Sequence, residues 1–129
     1  MIKYKILDNT ADILVRVYGE DSSIILSNSI YAVASLIHRK GLKENIEHTE
    51  RIKAEITPYV VVDMMNFVIF EFETNRTLYF SSELQDSVVK LKGHRFARSI
   101  KPSNSVKAAT YHNLPAHLVQ GHLDITLDI

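Results

Sequence analysis

Two aspartates near the start of the chain and one at its end are the residues best placed to do chemistry. Asp8 and Asp12 flank Asn9-Thr10-Ala11, and Asp128 precedes the last residue, Ile129, whose main-chain carboxylate adds another anion. Carboxylate oxygens are the ligands that hard cations such as Ca²⁺ and Mg²⁺ prefer. Held side by side, such groups repel each other unless a cation or hydrogen-bond donors lie between them. If the first and last strands neighbour each other, these acids form one cluster of oxygen ligands. The plainer alternative has Asp8 capping the turn through a hydrogen bond, with Asp12 and Asp128 merely solvated.

Other chemistries find less support. His112, His117 and His122 are five apart, which is neither a helical pair nor a zinc-finger spacing. His38 falls at the end of a helical pattern, where a cation is favoured by the dipole, and His48 and His94 lie in polar stretches. Ser81-Ser82 and Ser103-Asn104-Ser105 lack the glycine elbow of a nucleophilic serine. Gly19, Gly41, Gly93 and Gly121 are isolated, so no phosphate-cradling loop is present. The segment Gly93-His94-Arg95-Phe96-Ala97-Arg98, followed by Lys101, joins basic residues to an aromatic. It could touch RNA phosphates or an acidic partner, or it could be a solvated loop. Glu71, Glu73 and Glu83 carry the opposite sign and read as an exposed polar face.

The elements that must position these residues follow from periodicity. The final run His122-Leu123-Asp124-Ile125-Thr126-Leu127-Asp128-Ile129 alternates, with Leu123, Ile125, Leu127 and Ile129 facing one way and His122, Asp124, Thr126 and Asp128 the other. An end of this kind is expected to be tied into a sheet. Lys3–Leu7 and Ile13–Tyr18 also read as strands, joined by the turn residues 8–12. Asp21-Ser22-Ser23 supplies an N-cap, Gly41 is a candidate C′ residue, and Leu26, Ile30, Val33, Ala34 and Ile37 recur at helical spacing between them. Ile46–Ile56 returns to strand character, with Ile52, Ala54 and Ile56 on one face. Thr57-Pro58 then opens a second helix, whose stripe Val61, Met64, Met65, Val68 and Phe72 extends to about Thr74. The β-branched run Val60-Val61-Val62 works against that helix. Leu78–Phe80, Val88–Leu91, Lys107–His112 and Val119–Ile129 are further strands, and 93–105 reads as a long surface loop. The order ββ-α-β-α-ββββ predicts an α+β fold: two helices packed on a mostly antiparallel sheet.

The 129 residues suit one domain with one core, spanning residues 1–129. Formal net charge is +0, so no overall basic field would hold nucleic acid, and any RNA contact must be local or made through a partner. Cysteine is absent, which removes disulfides, thiolate metal sites and a cysteine nucleophile. No apolar run is long enough to span a bilayer, and Met1-Ile2-Lys3-Tyr4 does not have the pattern of a signal peptide, so the expected compartment is the cytoplasm.

Three pieces together resemble the archease family, the small protein partners of RtcB-type tRNA-splicing RNA ligases. They are Asp8-Asn9-Thr10-Ala11-Asp12-Ile13, Val106-Lys107-Ala108-Ala109-Thr110-Tyr111-His112 and Leu127-Asp128-Ile129. The resemblance covers the whole chain in length and order of elements. Where the family has Asp-His-Thr-Ala-Asp, this chain has Asn9 for the histidine; His94 stands where Glu is usual, and Ser105 where an acid is usual. The resemblance implies a divalent cation, Ca²⁺ in the family, held by Asp12, Asp128 and the carboxylate of Ile129. It also implies a protein with no reaction of its own. Such a protein speeds guanylylation of the ligase by GTP and lets the ligase turn over repeatedly, with tRNA met through the ligase and no membrane contact. Two rivals stay open: a chaperone-like or RNA-binding module acting in tRNA processing or modification through the 95–101 loop, and a free-standing Mg²⁺-dependent enzyme using Asp12 and Asp128.

Overall fold

The short polar turn Asn9–Asp12 folds the first strand back on the second, and that reversal sets the frame for the rest of the chain. The computed structural model describes residues 2–52, 55–118 and 121–129. Strand β1 (Tyr4–Asp8) pairs antiparallel with β2 (Ile13–Gly19), with an irregularity between Ile6 and Asp8. Along β2 the apolar side chains Ile13, Val15 and Val17 are buried, and the residues between them are half-exposed. The order of elements is β1, β2, α1 (Ser22–Ile37), β3 (Ile46–Arg51), α2 (Pro58–Asn75), β4 (Thr77–Gln85), β5 (Val88–Arg95), β6 (Ala108–Ala109) and β7 (Gly121–Asp128). This is the predicted ββ-α-β-α-ββββ order of an α+β fold.

The strands form two sheets rather than one: β1-β2-β7-β6 and β3-β5-β4, with every pairing antiparallel. Alternation in a sequence says which face of a strand is buried but not which strand is its neighbour. Helix α1 packs on β2 of the first sheet and β4 of the second, and α2 packs on β4 and β6. The helices thus join the two sheets around a single core that includes Ile30, Val33, Met65, Val68, Leu91 and Leu127.

Both helix starts are as the sequence predicts. The Asp21 carboxylate accepts from the Ile24 N–H at 3.0 Å, and the Thr57 hydroxyl accepts from the Val60 N–H at 3.3 Å with Pro58 following. Val61 and Val62 have no exposed surface, so tertiary burial outweighs their poor helix propensity. The end of α1 differs from expectation. Gly41 is not its C′ residue; the chain leaves the helix at His38 in extended backbone. The last carbonyls find partners elsewhere: Ser103 N–H donates to Ile37 at 2.7 Å and the Asn104 side chain to Leu36 at 2.7 Å. No glycine-based cap is then needed.

Several strand limits also differ. β4 runs on to Gln85 and turns into β5 through Asp86 and Ser87, both at positive φ (52° and 64°), as in a type I′ hairpin. β5 continues to Arg95, so the expected 93–105 loop begins only at Phe96; it is mostly exposed, with Phe96 packed against the core and Val106, just beyond it, buried. Gly93 lies so close to β4 that an added Cβ would sit 2.4 Å from the Leu78 carbonyl oxygen, which makes glycine obligatory there. β6 keeps only Ala108 and Ala109 of the expected 107–112. The Asn66 side chain closes the outer edge of β6, donating to the Ala109 carbonyl at 3.0 Å and accepting its N–H at 2.7 Å. β3 ends at Arg51. The expected facing residue Ala54, and the expected start of the last strand at Val119, lie outside the described residues.

Candidate metal centre

Leu127 and Ile13 are the pair that brings the two ends of the chain's acidic residues together. They are Cα partners in the β2–β7 ladder, and both are buried in the core. Continuing that antiparallel register by one step sets Asp12 opposite Asp128. The last strand therefore neighbours β2, not β1. This still delivers Asp12 to Asp128, because Asp12 immediately precedes β2. Asp12 and Asp128 are both exposed, and Ile129 follows at the same corner with 39% of its surface exposed.

On its other side β7 pairs with β6, where Ala108 is the partner of Asp128 and the Lys107 N–H donates to the Asp128 carbonyl at 2.7 Å. The Asp128 backbone is thus held from the β6 side, and its side chain is exposed. The same register puts Lys107 beside Ile129, so a basic residue borders the carboxylates. In the sequence Lys107 is marked only as the start of a strand and as part of the stretch that resembles the family. The β6–β7 pairing that gives it this position cannot be read from periodicity.

Asp8 takes a different part. Its carboxylate accepts from the Thr10 hydroxyl at 3.4 Å, a contact inside the turn. Asn9 lines a groove with Tyr4, Ile13 and Tyr31. Among the described residues, no group of three or more His, Cys, Asp or Glu side chains is arranged to hold a metal ion. The corner offers the two side-chain carboxylates of Asp12 and Asp128. This all-oxygen, solvent-open set suits a hard cation that keeps several waters, and it does not suit zinc.

The remaining histidines are structural or solvated. The His38 ring Nδ1 donates to the Lys40 carbonyl at 3.0 Å, and His94 Nδ1 donates to the Lys43 carbonyl at 2.6 Å. His48 stacks on Phe67 and donates to Glu50 at 2.9 Å. His112 and His117 are exposed and His122 faces Tyr18 across the ladder, so the three do not converge.

The same outer face holds an ion pair that only the β2–β7 register brings to light. Arg16 and Asp124 are cross-strand partners, with Nε to Oδ1 at 2.8 Å and Nη2 to Oδ2 at 2.9 Å. The bidentate hydrogen bonds from Arg16 hold the Asp124 carboxyl below the usual carboxylate range. On α2, the Tyr111 hydroxyl donates to Asp63, which raises the phenol above its ordinary value.

With this geometry in place, comparison with known proteins is specific. The sequence profile of the Archease protein family matches residues 4–129. Protein archease from Thermoplasma volcanium is 32% identical over 131 aligned positions, covering 98% of this chain and 98% of that one. Protein archease from Thermoplasma acidophilum is 30% identical, covering 99% of this chain and 94% of that one. The crystal structure of an archease, possible chaperone, from Thermotoga maritima superposes with a TM-score of 0.69 at 17% identity, over 97% of this chain and 96% of that one. A solution structure from Methanobacterium thermoautotrophicum gives a TM-score of 0.57 at 17% identity, covering 98% and 99%. The fold is therefore shared well beyond recognisable sequence, and the chain belongs to the archease family.

Proposed function

We propose that this chain activates an RtcB-type tRNA-splicing RNA ligase, promoting guanylylation of the ligase by GTP and repeated ligation. The observation that carries the reading is the β2–β7 register, which sets Asp12 opposite Asp128 in a chain of the archease family. In this reading Asp12, Asp128 and the carboxylate of Ile129 hold a divalent cation, Ca²⁺ by family likeness. When bound, the cation offsets the repulsion among the carboxylates and can meet the negative charge of a triphosphate. The chain's own contribution is positional. Ile13 and Leu127 anchor the two strands in the core, the β6 backbone fixes Asp128, and the carboxylates project from a corner open to a partner. Action within a ligase complex, with tRNA met through the ligase and in the cytoplasm, belongs to the same proposal. No helix among the described residues is long and apolar enough to cross a membrane.

The test follows transfer of radiolabelled GMP from GTP to the purified cognate ligase. The ligase should label faster with this protein present, and Asp12→Ala or Asp128→Ala should remove the acceleration while leaving circular dichroism unchanged. Equal labelling with and without the protein would overturn the proposal.

A further inference from the structure

The chain's formal neutrality hides a strong separation of charge. Residues 37–45 and 93–103 hold Arg39, Lys40, Lys43, Arg95, Arg98 and Lys101 against one acid, Glu44. These six are drawn from a total of fifteen Lys and Arg, so the rest of the chain carries fourteen acids against nine bases. The two segments are far apart in sequence but lie along each other in the fold. Asn45 N–H donates to the Gly93 carbonyl at 2.9 Å, His94 Nδ1 to the Lys43 carbonyl at 2.6 Å, and Ser103 N–H to the Ile37 carbonyl at 2.7 Å. Phe96 sits between them, with ring centroids 5.7 Å from His38 and 4.8 Å from His94. All six basic residues are exposed.

Ordinary structural needs account for part of this. Cations at the C-terminal end of α1 favour the helix dipole, which explains Arg39 and Lys40. It does not explain why the 93–103 segment, which carries Arg98 and Lys101, is laid along the end of α1, since like charges brought near each other destabilise the fold. Among the described residues Arg95 alone of the six has a side-chain tether, donating from Nε to the Thr77 hydroxyl at 2.9 Å.

The surface continues into two open grooves of about 380 Å³ and 250 Å³ on either side of the α1 ridge Tyr31, Ser35 and Arg39. Neither groove is lined by an Asp or a Glu among the described residues. Their walls carry Tyr4, Tyr31 and Phe80, and the Lys3 ammonium lies 4.1 Å from the Tyr31 ring centroid. The larger groove extends to Asn9, in the turn that leads to Asp12.

We propose that this basic surface, from Arg98 and Lys43 across Arg39 to the Tyr31 groove, binds single-stranded nucleic acid. The anionic occupant is required by the charge. The choice of nucleic acid over an acidic polypeptide rests on the exposed Tyr31 ring, with the half-buried Tyr4 and Phe80 beside it, which offers an aromatic surface for base stacking next to a line of phosphate contacts. The proposal is independent of ligase activation and of cation binding, and it needs no partner protein.

Fluorescence anisotropy of the full chain with a labelled single-stranded RNA tests it. If about four phosphates are neutralised, log K should fall with log salt at a slope of about −2.8, which is about 50-fold weaker binding between about 50 and 200 mM salt. The exposed double variant Arg39→Gln/Arg98→Gln should lose about half of that slope. Tyr31→Ala should weaken binding at least ~5-fold, the lower end of a lost stacking contact, while Asp12→Ala should not weaken it. Circular dichroism of each variant confirms that the fold is kept. Absence of salt-dependent RNA binding, an unchanged slope in the double variant, or tighter binding of poly-glutamate than of RNA would overturn the proposal.

Discussion

If Asp12, Asp128 and the Ile129 carboxylate share a cation, stability should depend on that cation, and the size of the effect can be worked out. Directly opposed positions in an antiparallel pair have Cβ atoms about 5 Å apart. At that separation in water two carboxylates repel by just under ~1 kcal/mol before salt screening. In EDTA, therefore, Asp128→Asn should be neutral or slightly stabilising, since the side chain is exposed and loses only repulsion. With the cation at about 100 Kd, the wild-type chain gains about 2.7 kcal/mol. For 129 residues the entropy of unfolding at the midpoint is about 0.27 kcal/mol/K, so the wild-type Tm should rise by about 10 °C. Asp128→Asn and Asp12→Asn should show little of that rise. Differential scanning calorimetry in EDTA and in CaCl₂ reads all three proteins directly. A Ca²⁺-dependent rise of the same size in the variants would place the cation elsewhere. Absence of any rise in the wild-type chain would remove the metal site from the account. Extending the chain beyond Ile129 converts its carboxylate to an amide and should reduce the rise without abolishing it.

Three further predictions concern the frame. The Asp124 carboxyl is held low by Arg16, so its contribution is present above the unfolded Asp value of about 3.9 and is lost as pH falls through the folded value. Asp124→Asn should therefore lower Tm by about 2 °C near neutrality, with the gap to wild type closing as urea denaturation is followed into acid below that value. Gly93→Ala would push a Cβ to 2.4 Å from the Leu78 carbonyl, and it should cost at least ~3 kcal/mol. Gly41→Ala, with nothing within 4 Å, should be neutral or stabilising by up to ~1 kcal/mol; equal effects in chemical denaturation would refute the packing argument. Asn66→Ala removes both bonds to Ala109 and should cost about 2 kcal/mol, with faster amide exchange at Ala109.

Much of the frame was legible because it rests on local signals. The Asp21 and Thr57 caps and the stripes of α1 and α2 announce the helices, and the alternation of residues 122–129 announces β7 with its faces correctly assigned. Pairing was not legible. Alternation carries no partner, so β7 beside β2, the split into two sheets and the reduction of β6 to two residues had to come from tertiary packing. Gly41 misled for a related reason, because the α1 carbonyls are satisfied by Ser103 and Asn104, far along the chain. The 95–101 segment was visible as basic, but its companion at Arg39–Lys43 gained meaning only once His94 was seen to bond Lys43. Of the candidate site, Asp12 and Asp128 were readable as carboxylates that could face a cation. Their juxtaposition, and Lys107 beside them, depended on the ladders.

The most direct test of ligase activation is ligation of broken tRNA halves by the cognate ligase at substoichiometric concentration with GTP, in the presence and absence of this chain. The account predicts that product exceeds the amount of ligase only when the chain is present, and that Asp12→Ala and Asp128→Ala behave as if it were absent. Product that exceeds the ligase without the chain, or full stimulation by either variant, would contradict it.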